Sequence, residues 1–260
     1  VDSVKIATWN VNSVRARLAH LQTWLSGAAP DVLLLQETKV EDGLFPVEAF
    51  RELGYHVLLH GQKTYNGVAA ATRIPPEEVS KGLSSGFLSD QARVLRLRLR
   101  GITFINVYVP NGGETGTSRF ADKLLFLEHL ADDAAEAASQ GGVVLAGDMN
   151  VAPGPDDVHD PEGLDGTVCY HPEERRRFSA LLDAGFEDLF RKFNPGGKAY
   201  SWWDYRMAGF RRNAGMRLDH VLVTPGLAAG ALSCEIDREP RRLEKPSDHA
   251  PVVAVLAPAE

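Results

Sequence analysis

Apolar runs of four to eight residues alternate along this chain with longer segments whose apolar positions recur at helical spacing, and that rhythm is the pattern of an α/β protein. Residues 4–11 read as a first strand and 14–25 as the helix after it. Residues 31–36 form a Val/Leu run typical of a strand buried on both faces. Residues 45–53 read as a helix stopped by Gly54, and 55–60 and 67–72 as strands. Residues 94–100 alternate apolar with basic, and 102–109 continue after one glycine, which signals a hairpin and antiparallel pairing. The longest helix is expected at 120–138. A strand at 143–151 and a helix at 172–184 with an acidic start follow, then strands at 200–205, 217–223 and 251–256. Antiparallel hairpins in both halves, each interleaved with helices, fit a four-layered α/β sandwich, two packed mixed β-sheets flanked by helices, better than one doubly wound sheet. A single domain over residues 1–260 is the expectation, since 260 residues with 44% hydrophobic content suffice for one large core.

Composition narrows the setting. No stretch approaches the roughly 18 consecutive apolar residues of a membrane span, and no basic-then-apolar leader precedes the first strand, so the chain reads as intracellular with no membrane partner. Cys169 and Cys234 sit in neither CxxC nor metal-ligand spacing, which gives a disulfide framework or a zinc site little support. The formal net charge of -7 argues weakly against nucleic acid, whose phosphates usually draw an excess of lysine and arginine. Net charge averages over the surface, however, and basic runs exist at Arg175, Arg176 and Arg177, at Arg211, Arg212 and Arg217, and at Arg241, Arg242 and Lys245. Each run alone reads as a solvated face.

The chemistry-bearing residues cluster at strand ends. Gly147 to Asn150 (GDMN) closes the apolar run Val143, Val144, Leu145, and strand alternation sends Asp148 and Asn150 to one side and Met149 to the other. Turn formation by Asp and Asn is an equal explanation of that pair taken alone. The arrangement recurs with Asn10 and Asn12 after the first strand and with Gln36 and Glu37 after the second. Ser247, Asp248 and His249 precede the last strand, and Asp219 stands just inside the strand that Arg217 opens. Polar ends on several central strands are what a site at one rim of a sheet sandwich requires. A hard divalent cation wants carboxylate and amide oxygens, and the available acids are Glu37, Asp148, Asp219 and Asp248.

The segments WNVNSVRARL, DVLLLQETKV, YHVLLHGQK, YNGVA, NVYVPNG, LAGDMNVAP, HPEERRRF, SWWDYR, MRLDHVLV and EKPSDHAPV together resemble the exonuclease III family of apurinic/apyrimidinic endonucleases, in order and almost end to end. The resemblance implies a magnesium-dependent DNA-repair phosphodiesterase, with manganese as a substitute, that cuts double-stranded DNA 5′ to an abasic site and also acts at 3′ ends. It makes Glu37 the principal metal ligand, with Asn10 and Asp248 close to the metal. Asp148 would orient or deprotonate the attacking water, and Asn150 would hydrogen-bond the scissile phosphate. His249 would bind a phosphate oxygen, held in its tautomer by Asp219, and Tyr108 would donate to the phosphate or leaving oxygen. Asn12 and Asn111 would contact substrate, Trp202, Met216 and Leu218 would line a base-excluding pocket, and Arg206 could wedge into the duplex. A monomer in the cytoplasm, associated with the nucleoid through DNA, completes the implied picture.

Plainer readings compete. Propensity alone makes Tyr108 a core residue of a Val/Ile strand, His249 a turn histidine, and at least one of Trp202 and Trp203 core. A phosphoinositide or sphingolipid phosphodiesterase of the same superfamily would keep the metal core but has no use for SWWDYR and MRLDH, and a non-catalytic DNA-binding protein would have lost a core residue. Departures from the family pattern are Ser13 and Val14 in the first loop, and Met216 where some relatives carry tryptophan.

Overall fold

The structure, a computed structural model, describes residues 3–257. The first half runs β1 (Val4–Asn10), α1 (Leu18–Ala28), β2 (Val32–Gln36), α2 (Val47–Arg51), β3 (His56–His60), β4 (Val68–Thr72), β5 (Glu78–Lys81), β6 (Val94–Leu99) and β7 (Ile102–Tyr108). The second runs α3 (Ser118–Gln140), β8 (Val143–Asp148), α4 (Pro172–Asp183), β9 (Glu187–Asp188), α5 (Leu189–Phe193), β10 (Trp202–Trp203), β11 (Gly215–Met216), β12 (Asp219–Val223), α6 (Pro225–Ala229), β13 (Ala231–Ile236) and β14 (Val252–Leu256).

Two six-stranded sheets result, ordered β13-β14-β1-β2-β4-β3 and β5-β6-β7-β8-β12-β9, with β10 and β11 as a separate ribbon. Each sheet is mixed: β1 with β2 and β7 with β8 are parallel, while the expected hairpin β6–β7 is antiparallel. Alternation along the strands divides the core into layers. Ile6, Leu34 and Ala70 of one sheet meet Leu97, Phe104, Val144 and Val221 of the other. Leu33 and Leu35 point outward, under Leu21 and Leu25 of α1 and Phe50 of α2. Val143 and Leu145 point outward on the other side, under Phe126 and Leu130 of α3 and Phe178 and Leu181 of α4. Both β2 and β8 are thus buried on two faces, the reason their runs are continuously apolar, and the layers are the expected four-layered sandwich.

Parallel pairing puts the C-terminal ends of β1, β2, β7 and β8 on one rim. Asn10 faces Gln36 in register and Tyr108 faces Asp148. The antiparallel β12 begins at that rim, with Asp219 opposite Asp148. Gly147 makes this approach possible: its φ is +151°, and a Cβ there would stand 1.9 Å from the carbonyl oxygen of Val107 on β7.

Several elements end earlier than the sequence predicts. The strand expected over 143–151 stops at Asp148, because Asn150 turns into the left-handed region at φ 49°. The strand expected over 200–205 shrinks to Trp202–Trp203. The sequence pattern did not predict β5 and β13: β5 is an exposed edge strand with no apolar run, and β13 is half exposed. Among the described residues no helix is long and apolar enough to cross a membrane.

Candidate active site

The rim assembles the polar strand ends into one hydrogen-bonded group. Asn10, fully buried, donates from Nδ2 to Glu37 Oε2 at 2.6 Å and to Asp148 Oδ2 at 2.9 Å, while its Oδ1 accepts from the backbone N–H of Asn12 at 3.0 Å. The amide oxygen being committed to Asn12, Asn10 presents N–H and not oxygen to the carboxylates. Glu37 leaves β2 with φ 49°, and its second oxygen lies 3.3 Å from Lys39 Nζ. Asp148 Oδ1 accepts from the Asn150 backbone N–H at 2.9 Å, an Asx turn, so the turn reading of this pair is met while the other carboxylate oxygen stays turned to Asn10.

Opposite stands the histidine. His249 Nδ1 pairs with Asp219 Oδ2 at 2.8 Å, and its Nε2 lies 3.6 Å from Asp148 Oδ2. Because an ionised carboxylate only accepts, Nδ1 carries a proton and Nε2 faces the site. Ser201 Oγ fixes Asp219, donating to Oδ2 at 2.6 Å and accepting from the N–H groups of Leu218 and Asp219 at 3.0 Å each. Burial disfavours charge on His249, but Asp219 first and Asp148 second outweigh it and push the imidazole up to about 10. Burial raises the proton affinity of Asp148 even against the lowering effect of His249. Burial, with Glu37 and Asp148 nearby, holds the Tyr108 phenol well above its ordinary value, so the hydroxyl is a proton donor at neutral pH.

Ligand atoms of Glu37, Asp148 and His249 all lie within 4.8 Å of one another. Two facing carboxylates, one of them buried with raised proton affinity, form a site where a cation can replace a proton. A protonated imidazole has no lone pair to give, so the donor set that fits a hard divalent cation is the oxygens of Glu37 and Asp148. The expected metal ligands are Glu37, Asn10 and Asp248. Asp248 lies outside the converging group, its oxygens accepting from Asn12 Nδ2 at 3.2 Å and Trp202 Nε1 at 3.0 Å. Asp148, expected to handle the water, takes its place beside Glu37.

Asn12, Asn111 and Trp202, expected at the substrate, touch rim residues: Asn12 touches Asn10, Asn111 touches Asn150 and Trp202 bridges to His249. Asn111 Nδ2 lies 3.5 Å from Asn150 Oδ1, and Asn150 Nδ2 donates to the Val109 carbonyl at 2.9 Å. Trp202 pairs with Met216 across the β10–β11 ribbon and bridges to His249. It packs with Met216 and Leu218 over Val158 and Tyr170, while Trp203 points into a different cluster and is fully buried, as alternation requires. Arg206 is exposed but paired with Asp204 at 2.7 Å, and the neighbouring Met207 is 80% exposed.

Sequence reasoning missed several residues. Lys39 and Ser201 lie inside segments that carried the family resemblance, but nothing in their type marked them. Lys123 carried a readable signal, since it occupies an apolar position of the α3 periodicity. The basic run Arg175 to Arg177 is a salt-bridged face, paired with Asp165, Glu173 and Glu128. A groove of about 500 Å³ is instead lined by Arg15, Lys39 and Lys63 with one acid, Glu41, and Lys39 pairs with Glu37 at its edge.

Known proteins resemble this chain in sequence and fold. The model of the endonuclease/exonuclease/phosphatase family matches residues 7–249. Exodeoxyribonuclease III of Haemophilus influenzae is 37% identical, covering 96% of this chain and 99% of its own length. An AP endonuclease structure from Archaeoglobus fulgidus superposes with a TM-score of 0.94 at 44% identity, over 97% of this chain and 99% of that one. The Neisseria 3′ phosphatase NExo, solved with a product DNA hairpin, gives 0.95 at 40% identity with the same coverage.

Proposed function

From the premise that this chain belongs to the endonuclease/exonuclease/phosphatase family, in its exonuclease III branch, we propose that it is a DNA-repair nuclease that hydrolyses the phosphodiester 5′ to an abasic site in duplex DNA. The same site would serve 3′-to-5′ exonuclease and 3′-end-cleaning reactions. The observation that carries this reading is the juxtaposition of Glu37, Asp148 and the His249–Asp219 pair at one rim, with Trp202 bridged to His249.

The geometry supports the following physical roles. Glu37 and Asp148 would hold magnesium, with manganese a substitute, and the ion would supply positive charge at the phosphate oxygens and lower the pKa of a nearby water. Asp148, oriented by Asn10 and by the Asn150 N–H, would align or deprotonate the nucleophile. His249, charged through Asp219, presents Nε2–H to a non-bridging phosphate oxygen, where a donor already in place costs no reorganisation as charge develops. Tyr108 donates its hydroxyl proton toward the phosphate or the leaving oxygen, and Asn111 and Asn150 offer amides to the same group. Asp248 acts one step away, fixing Asn12 and the Trp202 indole. Trp202, Met216 and Leu218 would admit a sugar without a base and refuse one that carries it. The protein would work as a monomer on double-stranded DNA, in the cytoplasm with the nucleoid.

The test is a duplex with one abasic site. With magnesium it should receive a single nick 5′ to the lesion, excess chelator should abolish the cut, and a phosphoinositide should remain intact. Undiminished cutting in chelator, or turnover of the phosphoinositide in place of DNA, would overturn the reading.

A further inference from the structure

Helix α3 carries a lysine where its pattern calls for a hydrocarbon. Phe120, Lys123, Leu127 and Leu130 share one face at helical spacing, and all four are buried, Lys123 completely. An ammonium in such a place is tolerated only if its hydrogens find acceptors. Lys123 has three hydrogens and three oxygen partners: the carbonyl of Asn111 at 3.0 Å, the carbonyl of Asn150 at 2.7 Å, and the equally buried carboxylate of Glu174. Glu174 is anchored on its own account. It accepts from the N–H of Cys169 at 3.1 Å and from that of His171 at 2.9 Å, the second closing the capping box of α4.

Two of the three acceptors therefore belong to the loops that follow β7 and β8, the loops that carry Asn111 and Asn150. Gly112 leaves room for the stem: its φ is +92°, and a Cβ there would stand 3.0 Å from Lys123 Cδ. Packing alone does not ask for this pair, because a buried ion pair is often no more stabilising than apolar side chains of similar volume. What the ammonium adds is geometry. Asn150 gives its N–H to Asp148, its side-chain amide to Val109 and its carbonyl to Lys123, so its left-handed peptide is held at three points.

We propose that Lys123 is a positioning residue for the hydrolysis: by tying the carbonyls of Asn111 and Asn150 to one ammonium, it holds both phosphate-facing loops in register with Asp148. The proposal rests on the function assigned above.

Two variants test it. Lys123→Met/Glu174→Gln removes both charges together, and Glu174→Gln alone weakens the counter-ion while leaving an amine to both carbonyls. Thermal melts establish that each is folded at the assay temperature. Single-turnover incision at saturating abasic duplex should slow at least tenfold in the double variant, with DNA affinity changed less than threefold and the magnesium requirement unchanged. Glu174→Gln should slow less than tenfold although its melting temperature also falls, because rate then follows the tether and not stability. A double variant slowed less than tenfold, a loss confined to affinity, or a tenfold loss in Glu174→Gln would overturn the proposal. Should the double variant not fold, the Glu174→Gln rate decides by the same threshold. Asp148→Asn, run alongside, separates the two levels: if it cuts normally, the assignment of the site is wrong, whereas if it is inactive and the double variant is not slowed, only the tether is wrong.

Discussion

At the scale of single residues, the His249–Asp219 pair and Asp148 make the sharpest claims. Asp148→Asn and His249→Asn should each lower turnover by about two to four orders of magnitude, the range for losing a general base or a donor to developing charge, while gel-shift affinity survives. Because His249 is charged through Asp219 at 2.8 Å, Asp219→Asn and His249→Asn should be strongly non-additive in single-turnover kinetics. Independent, multiplying losses would show that the pair does not act as a unit. Trp202 makes a different claim. Trp202→Ala opens the wall beside His249 and should lower the ratio of kcat/KM for abasic over intact duplex, leaving the metal requirement in place. An unchanged ratio in a folded variant would make Trp202 a packing residue only. The alternation argument was right that Trp202 and Trp203 part company, yet alternation alone does not say which one lies beside His249; the ribbon puts Trp202 there.

At the scale of elements, the site depends on how closely β7 and β8 approach. Gly147 carries no Cβ at the point where one would meet the Val107 carbonyl at 1.9 Å, so Gly147→Ala must separate the two strands or twist one. We expect a stability loss of about 3 kcal/mol or more, at the upper end for overpacking, measured by urea unfolding, with turnover falling in parallel because Tyr108 and Asp148 are register partners. A near-neutral Gly147→Ala would mean that the strands part freely. Strands β1, β2, β7, β8 and β14 were legible because burial imposes continuous or alternating apolar runs on them. Edge strands β5 and β13 were not, since exposed edges place no such demand on side chains.

For the whole molecule, charge is where average and arrangement diverge. Despite a net charge of -7, DNA affinity should fall with ionic strength, each basic group of the Arg15, Lys39, Lys63 groove that reaches a phosphate adding about -0.9 to the logarithmic slope. A flat salt response would deny that face. Stability should respond to acid through a second buried network. Arg217 binds Asp157 at 2.7 Å and Asp188 at 2.8 Å, and faces His220 Nδ1 at 3.1 Å, while His220 Nε2 donates to the Val151 carbonyl at 2.8 Å. Burial, then Arg217, pushes His220 down to about 4, below its unfolded value of 6.5. Above pH 6.5 the imidazole is neutral in both states and contributes nothing. Between 6.5 and 4 only the unfolded chain takes up the proton, so His220 removes about 3 kcal/mol of stability as pH falls. Asp148, with raised proton affinity, acts with the opposite sign over part of that range, so the effect is read as a difference. His220→Gln should gain on wild type progressively from pH 6.5 to 4 in urea titrations, and a constant gap would refute it. The sequence by itself determined the layered α/β architecture and marked the polar strand ends Asn10, Glu37, Asp148 and His249 that meet at one rim, because burial periodicity and polar strand ends are local properties written at fixed spacing. Only the tertiary structure decided that Asp148 and not Asp248 stands beside Glu37, that Asn10 turns its N–H to the carboxylates, and that Lys123 ties two loops together. Those outcomes depend on which strand ends meet across the sheets and which hydrogen-bond partners are already taken, and no local pattern encodes that.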